Sequence, residues 1–468
     1  MELEVARLYS AIMTRTRSLA ILSSLVSVAL AATLSVAPAA ARTVDPVGPT
    51  GLSSAASGVI SGRLFIQLPG GGTTVAANAG VVRLYSPASD FPAAQGVVTS
   101  SGNFTIAGLP AGQYIAEFVS TDTRALPVRE WFNNQRYRFD ANLITLVEGA
   151  AFPFGDVVLE PRVFDVERIG GENRFDTAAN VSERAAIAGS DRNIVIVNGL
   201  DFPDALGAGP LAARLGAPLL MVTRDSIPDE TRAELERLDP LTITIVGGTG
   251  VVSTAVEQAL APYVGGIANV ARIAGENRYD TSRKVVEVIQ ADTSITELFI
   301  ATGRGFPDAL AAVPAAGSVS GAVLLVDGTR GSLDIDTAIY IDGLDVPVTI
   351  VGGTGVVSAG IESQLSNRGV DVERVAGSTR YATAIAIAVT YFPSAEFAYL
   401  ANGLGFADAL AIGPVAAAFG APVYLTQSEC LTDAVYDDLV AGLFSGVTLV
   451  GGAGVLSSRV QSLQACSL

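Results

Sequence analysis

Three motifs recur in one order three times along this chain, and that repetition limits the fold more than any other feature. An opening motif reads V-E-R-I-G-G-E-N-R-F-D-T from Val166, V-A-R-I-A-G-E-N-R-Y-D-T from Val270 and V-E-R-V-A-G-S-T-R-Y-A-T from Val372. A middle motif reads D-F-P-D-A-L from Asp201, G-F-P-D-A-L from Gly305 and G-F-A-D-A-L from Gly405. A late one reads V-G-G-T-G-V-V-S from Val246 and from Val351, and V-G-G-A-G-V-L-S from Val450.

Within a copy, helix and strand alternate. R-F-D-T opens a helix whose first amides Asp176 or Thr177 is placed to cap. N-I-V-I-V-N-G is a buried strand, and F-P-D-A-L starts a helix with proline where its missing N–H is not needed. A-P-L-L-M-V, S-I-P-D-E-T-R-A-E-L-E-R-L and L-T-I-T-I-V-G-G follow as strand, helix and strand, and Ser253 caps a short last helix. Uniformly apolar strands between helices predict mainly parallel sheets covered on both faces. Ligands of such sheets sit beyond the carboxyl ends of the strands, where N-G-x-x-F-P-D and V-G-G-T-G lie.

Before the repeats the pattern changes. Alternating runs such as VISGRLFIQL, GVVRLYS, GNFTIAGL and GQYIAEFVS, broken by glycine and proline, predict an antiparallel β-sandwich over 58–162. Residues 42–57 read as a linker. Residues 1–41 read as a secretory signal peptide: Arg15 and Arg17, an apolar run, then Ala39-Ala40-Ala41. The alternative is a membrane anchor; Pro38 and the small residues favour cleavage, which leaves no anchor. Met13 begins a better basic region than Met1 and is an alternative start.

Composition removes several functions. The formal net charge is −17 and Lys284 is the single lysine, so nucleic acid is not expected as a partner. There is no histidine, which removes a Ser-His-Asp triad and His-ligated zinc. No metal site or cofactor is expected. Cys430 and Cys466 form one disulfide in an exported protein, or stay as two buried thiols.

The three motifs together resemble the cell-wall-binding repeat type 2 family of Gram-positive bacteria, with copies at 166–265, 270–369 and 372–468. The resemblance implies three α/β modules around a pseudo-threefold axis that bind a secondary wall polysaccharide and hold an exported protein at the cell wall non-covalently. Gly102-Asn103-Phe104-Thr105-Ile106 through Tyr114, with Glu130-Trp131-Phe132-Asn133-Asn134, resembles a carboxypeptidase-regulatory-like domain, which implies a sandwich without an active site. The buried-core reading of Trp131 is preferred over a sugar platform. The third copy departs from the pattern at Ser378-Thr379, Ala382 and Ala407.

Arg174, Arg278 and Arg380 are the candidate ligand-binding cations, able to clamp a phosphate or carboxylate on a glycan; the alternative is a salt bridge between modules. Arg168, Arg272 and Arg374 share that ambiguity. Asp204, Asp308 and Asp408 could hold sugar hydroxyls or a calcium ion bridging to an anionic polymer, or bond amides in the first turn of their own helices. The expected function is non-catalytic attachment to a cell-wall glycopolymer. The alternatives are an adhesin acting through the β-sandwich and a carboxylate-dependent glycan hydrolase using Asp201 and Asp204. The sequence leaves the oligomeric state open.

Overall fold

The computed structural model describes residues 57–68, 72–87, 89, 92–120, 128–135, 141–160, 164–185, 192–292, 294–442 and 444–467. The signal-peptide and alternative-start readings fall on residues outside these.

The N-terminal segment forms two sheets, because its alternating runs have one apolar face each. β1 (Gly58–Gln67), β2 (Thr73–Val75), β5 (Asn103–Leu109) and β9 (Ala151–Leu159) make one sheet; β3 (Gly80–Tyr85), β4 (Pro92–Val97), β6 (Gly112–Ser120), β7 (Val128–Trp131) and β8 (Ile144–Leu146) make the other. Ile60 and Leu64 from the first share a buried cluster with Leu84 and Phe118 from the second. The expectation of a purely antiparallel arrangement needs correcting. β9 runs parallel to β1, pairing Val59 with Ala151 and Ile66 with Leu159. Alternation reports which face a residue takes, not strand direction. Trp131 is buried, its ring 5.5 Å from that of Tyr85.

The repeats follow. The first copy holds β10 (Asp165–Ile169), α1 (Arg174–Ala185), β11 (Asn193–Asn198), α2 (Ala208–Arg214), β12 (Leu219–Val222), α3 (Asp229–Leu238), β13 (Thr242–Val246) and α4 (Thr254–Leu260). The second holds β14 (Val270–Ile273), α5 (Arg278–Asp292), β15 (Leu298–Thr302), α6 (Pro307–Ser318), β16 (Ala322–Val326), α7 (Ile335–Asp342), β17 (Val348–Val351) and α8 (Ala359–Asn367). The third holds β18 (Val372–Val375), α9 (Arg380–Tyr391), β19 (Phe397–Asn402), α10 (Ala407–Ala418), β20 (Val423–Thr426), α11 (Asp433–Ala441), β21 (Gly446–Val450) and α12 (Ser458–Gln461).

Each copy contributes to a parallel four-stranded sheet, but the sheets cross the copy boundaries. Their orders are β12-β11-β13-β14, β16-β15-β17-β18 and β20-β19-β21-β10. The first strand of each copy therefore completes the sheet of the copy before it. For the first copy that predecessor is the third: Asp165 pairs with Gly446 and Ile169 with Val450. The relation is cyclic. The small-residue helices α2, α6 and α10 meet in the middle and are buried nearly all round, which requires residues without bulk. A Cβ on Gly209 would sit 2.5 Å from Val313, and one on Gly317 2.5 Å from Ala417. Only hydrogen fits there.

One local expectation also needs correcting. The caps of α1 and α5 are not Asp176 or Thr177 and their counterparts. Asn173 Oδ1 accepts from the amides of Phe175 and Asp176, and Asn277 does the same for Tyr279 and Asp280. Asp176 and Thr177 instead accept from amides of the preceding loop, Glu172 and Gly171. In the third copy Thr379 replaces the asparagine and still caps, accepting from Ala382. Ser253, Ser358 and Ser457 cap the last helix of each copy.

Candidate functional site

The strand-end loops are held by polar residues at the last strand positions. Asn198 Oδ1 accepts from the amides of Leu200 and Asp201, and Asn402 Oδ1 from that of Leu404. Their amide nitrogens donate to Val251 and Val455, tying the N-G-x-x-F loop to the V-G-G loop of the same copy. The loops bring Phe202, Phe306 and Phe406 together, with centroids 5.5, 5.8 and 6.1 Å apart. Leu200 and Leu404, two residues upstream of their phenylalanines, are exposed, and Arg304 occupies the same place in the second copy.

Arg174, Arg278 and Arg380 each donate to the carbonyl of the loop glycine in their own copy: Gly199 at 2.7 Å, Gly303 at 2.7 Å and Gly403 at 2.6 Å. Arg174 also lies over the ring of Phe406, and Arg380 over that of Phe306. These arginines therefore stand where copies meet.

The candidate aspartates come to the same seams. Asp204 accepts from the Thr281 hydroxyl and the Gly248 amide and faces Arg278. Asp308 accepts from Thr383 and faces Arg380. Asp408 accepts from Thr177 and faces Arg174. Each threonine hydroxyl also accepts from a loop glycine amide, so it links two copies. Burial pushes all three carboxyls up against the pull of arginine and threonine, Asp408 to about 6. The expectation that they bond first-turn amides of their own helices is thus corrected: Asp204, at the start of its helical turn, makes no side-chain cap bond. The neighbouring copy supplies a better-placed donor.

A second layer lies beneath. Arg168, Arg272 and Arg374 donate to the first glycine carbonyl of the V-G-G loop in the preceding copy, each at 2.7 Å, to Gly451, Gly247 and Gly352. Arg272 also meets Glu257 and Arg374 meets Glu362, whereas Arg168 meets the neutral Gln461. Those glycines have φ of +125°, +127° and +106°, the left-handed region open to glycine.

Pairing each arginine with an aspartate of another copy is not legible from spacing, and neither is the meeting of the phenylalanines or the reach of Thr177, Thr281 and Thr383 to an aspartate of another copy. Their recurrence in every copy was the available signal. Among the described residues no three histidine, cysteine or acidic groups are grouped to hold a metal ion. Cys430 and Cys466 are paired, with their sulfurs 2.01 Å apart.

Comparison with known proteins agrees with this architecture. The chain is 30% identical over 295 residues to N-acetylmuramoyl-L-alanine amidase LytC of Bacillus subtilis (strain 168), covering 63% of this chain and 57% of that one. It is 27% identical over 298 residues to the Amidase enhancer of the same organism, covering 63% and 39%. The chain thus spans about half the length of these curated relatives. Among solved structures, Cwp6 from Clostridium difficile superimposes with a TM-score of 0.59 over 87% of this chain and 68% of that one, at 21% identity. Cwp8 from the same organism gives 0.57 over 82% and 63%, at 22% identity. Both likenesses concern the fold. Residues 168–257, 272–362 and 374–461 each match Cell wall binding domain 2, and with more than half of its length so matched the chain belongs to the CWB2 family.

Proposed function

We propose that this is a non-catalytic, exported protein held at the Gram-positive cell wall by its three copies, which bind a secondary wall polysaccharide. The observation that carries the reading is the cyclic closure of three family-matched copies, which gathers their strand-end loops around Phe202, Phe306 and Phe406. Arg174, Arg278 and Arg380 order this face, and their remaining N–H groups are the cations through which an acidic sugar would be recognised. Asp204, Asp308 and Asp408 hold the copies together rather than touch the polymer. The absence of histidine from the sequence supports the non-catalytic reading, and Asp204, engaged by Thr281, supports it against an Asp201–Asp204 hydrolase.

Residues 1–41 are the leader in this reading, and the two N-terminal sheets form a carboxypeptidase-regulatory-like sandwich that spaces or displays. The acidic balance of the chain opposes an anionic polymer unless calcium bridges the two. The test is sedimentation of the chain with purified walls, before and after acid extraction of secondary polymers, with calcium and with EDTA. Retention lost on extraction supports the polymer, and loss with EDTA alone assigns the bridge to calcium. Absence from intact walls in every condition overturns the attachment.

A further inference from the structure

The second copy departs from the other two at one corner of the strand-end face. In the first and third copies that corner has exposed Leu200 and Leu404, with the neutral Thr223 and Gln427 just past the adjacent strands β12 and β20. In the second copy both places change together, to Arg304 and Asp327. The turn that follows is also longer. Seven residues separate Val326 from Asp334, the cap of α7, where five separate Val222 from Pro228 and Thr426 from Thr432. The longer turn carries Arg330.

Asp327 organises the two arginines. Arg304 donates to it from Nε and Nη2 at 2.5 and 2.9 Å, and Arg330 from Nε at 3.2 Å. The Thr329 hydroxyl donates to the same carboxylate at 2.9 Å. The side chain of Asp327 is only 13% exposed, whereas those of Arg304 and Arg330 are 58% and 70% exposed. A largely buried anion therefore fixes two cations whose outer faces meet solvent. Both terminal nitrogens of Arg330 donate to no described residue. Arg278 is a third cation here, since the Tyr279 hydroxyl faces Asp327, Arg304, Arg278 and Arg330 together. Of the three, the first and third copies keep only Arg174 and Arg380. Arg224, in the shorter turn of the first copy, is engaged by Gly250 and Asp225.

The local balance is positive in a chain of net charge −17. Three guanidiniums meet two carboxylates, Asp327 and the Asp204 that faces Arg278. Arg330 also lines an acidic groove, where Asp280 is held by Arg283 and Asp334 by the Thr337 amide. Glu276 and Asp336 are exposed in that groove and oppose an anion, so one is held only where guanidiniums converge. A carboxylate fills one guanidinium fork with its two oxygens. A tetrahedral phosphate has further oxygens for a second fork.

We propose that Arg304 and Arg330, together with Arg278, clamp a phosphodiester of the wall polymer, and that the second copy alone does so. This rests on the wall-polymer reading and names its anion; a soluble diester tests the clamp apart from the wall.

Isothermal titration of the full chain at low ionic strength would use glycerophosphoglycerol, a phosphodiester, and glucuronate, a carboxylate. The diester is expected to bind one-to-one, and glucuronate at least about fivefold more weakly. The double variant Arg304→Leu, Asp327→Thr installs the pair found in the first copy and should weaken the diester about tenfold. Arg330→Gln should weaken it about threefold or more, and Arg224→Gln should leave it unchanged. Absence of binding at millimolar diester, equal binding of glucuronate, or binding indifferent to both clamp variants would overturn the proposal. With intact walls the double variant should be released at lower salt than wild type. Identical release would take the wall polymer out of the proposal. A chain that ignores the diester yet still sediments with walls keeps its attachment and loses only this clamp.

Discussion

Arg168 donates to the carbonyl of Gly451 at 2.7 Å and so joins the first copy to the third, closing the cycle. The equivalent arginines at the other two seams have a carboxylate beside them, Glu257 and Glu362, but Arg168 has Gln461. Burial depresses its pKa with no acid to offset the cost. Gln461→Glu should therefore stabilise the repeats by about 0.5–1.5 kcal/mol, or about 1–5 °C in Tm. A thermal melt that is unchanged or lower would show that the closing seam does not need the charge.

Asp408 gives the seam a pH dependence. Burial raises its pKa to about 6 from an ordinary 3.8, so the folded state holds its proton more tightly than the unfolded state. Its contribution is fully present below the ordinary value and is lost as pH rises through about 6. Asp204 and Asp308 shift in the same direction. Asp280 and Asp327 shift oppositely, so the whole-protein curve mixes both signs. The difference between wild type and Asp408→Asn isolates the seam. The variant should gain roughly 1–3 kcal/mol relative to wild type between about pH 4 and pH 8, measured by denaturant unfolding. A constant difference across that range would remove Asp408 from the pH response.

Much of the repeat fold was legible because its signals are local. The run Ile194 to Val197 is wholly buried, as uniformly apolar strands between helices require. Ser253 caps its helix as the motif suggests. Partner identity was not legible. Nothing in Asp165–Ile169 says that its neighbour is Gly446–Val450, since its Val-Glu-Arg-Ile recurs as Val-Ala-Arg-Ile and Val-Glu-Arg-Val and would suit the same edge of any of the three sheets. The aspartates show the same limit, for a carboxylate near a helix start can accept from its own first turn or from a threonine in another copy. Asn173, Asp176 and Thr177 are all capable caps, and only backbone geometry chose Asn173. Recurrence marks a position as required by every copy without telling a seam from a ligand site.

The V-G-G turn supplies a test with its own control. Gly451 has a φ of +125°, and a Cβ there would lie 2.7 Å from Asp408 Oδ2. Three residues on, Gly454 would place a Cβ with nothing within 4 Å. Gly451→Ala should cost about 2–4 kcal/mol, from backbone strain and displacement of the buried carboxylate. Gly454→Ala should fall within about 0.5 kcal/mol of wild type. Similar denaturant midpoints for the two variants would show that the turn relaxes and that the tight Gly451–Asp408 approach carries no stability.

The cysteine pair supports the same seam from behind. Helix α12 has only four residues, yet it presents Gln461 to Arg168. The segment after it is fastened to the start of α11 by Leu431 donating to Gln464 and Cys466 donating to Leu431, at 2.9 and 2.8 Å. Cys430 and Cys466 close this loop across a sequence separation of 36. If the pair is covalent in the native protein, no thiol titrates before reductant is added. The double variant Cys430→Ser, Cys466→Ser should then lose about 2–4 kcal/mol, with amide exchange rising first in residues 455–467. Two thiols titrating in the native, unreduced protein would exclude the bond, leaving the closing seam held by hydrogen bonds and packing.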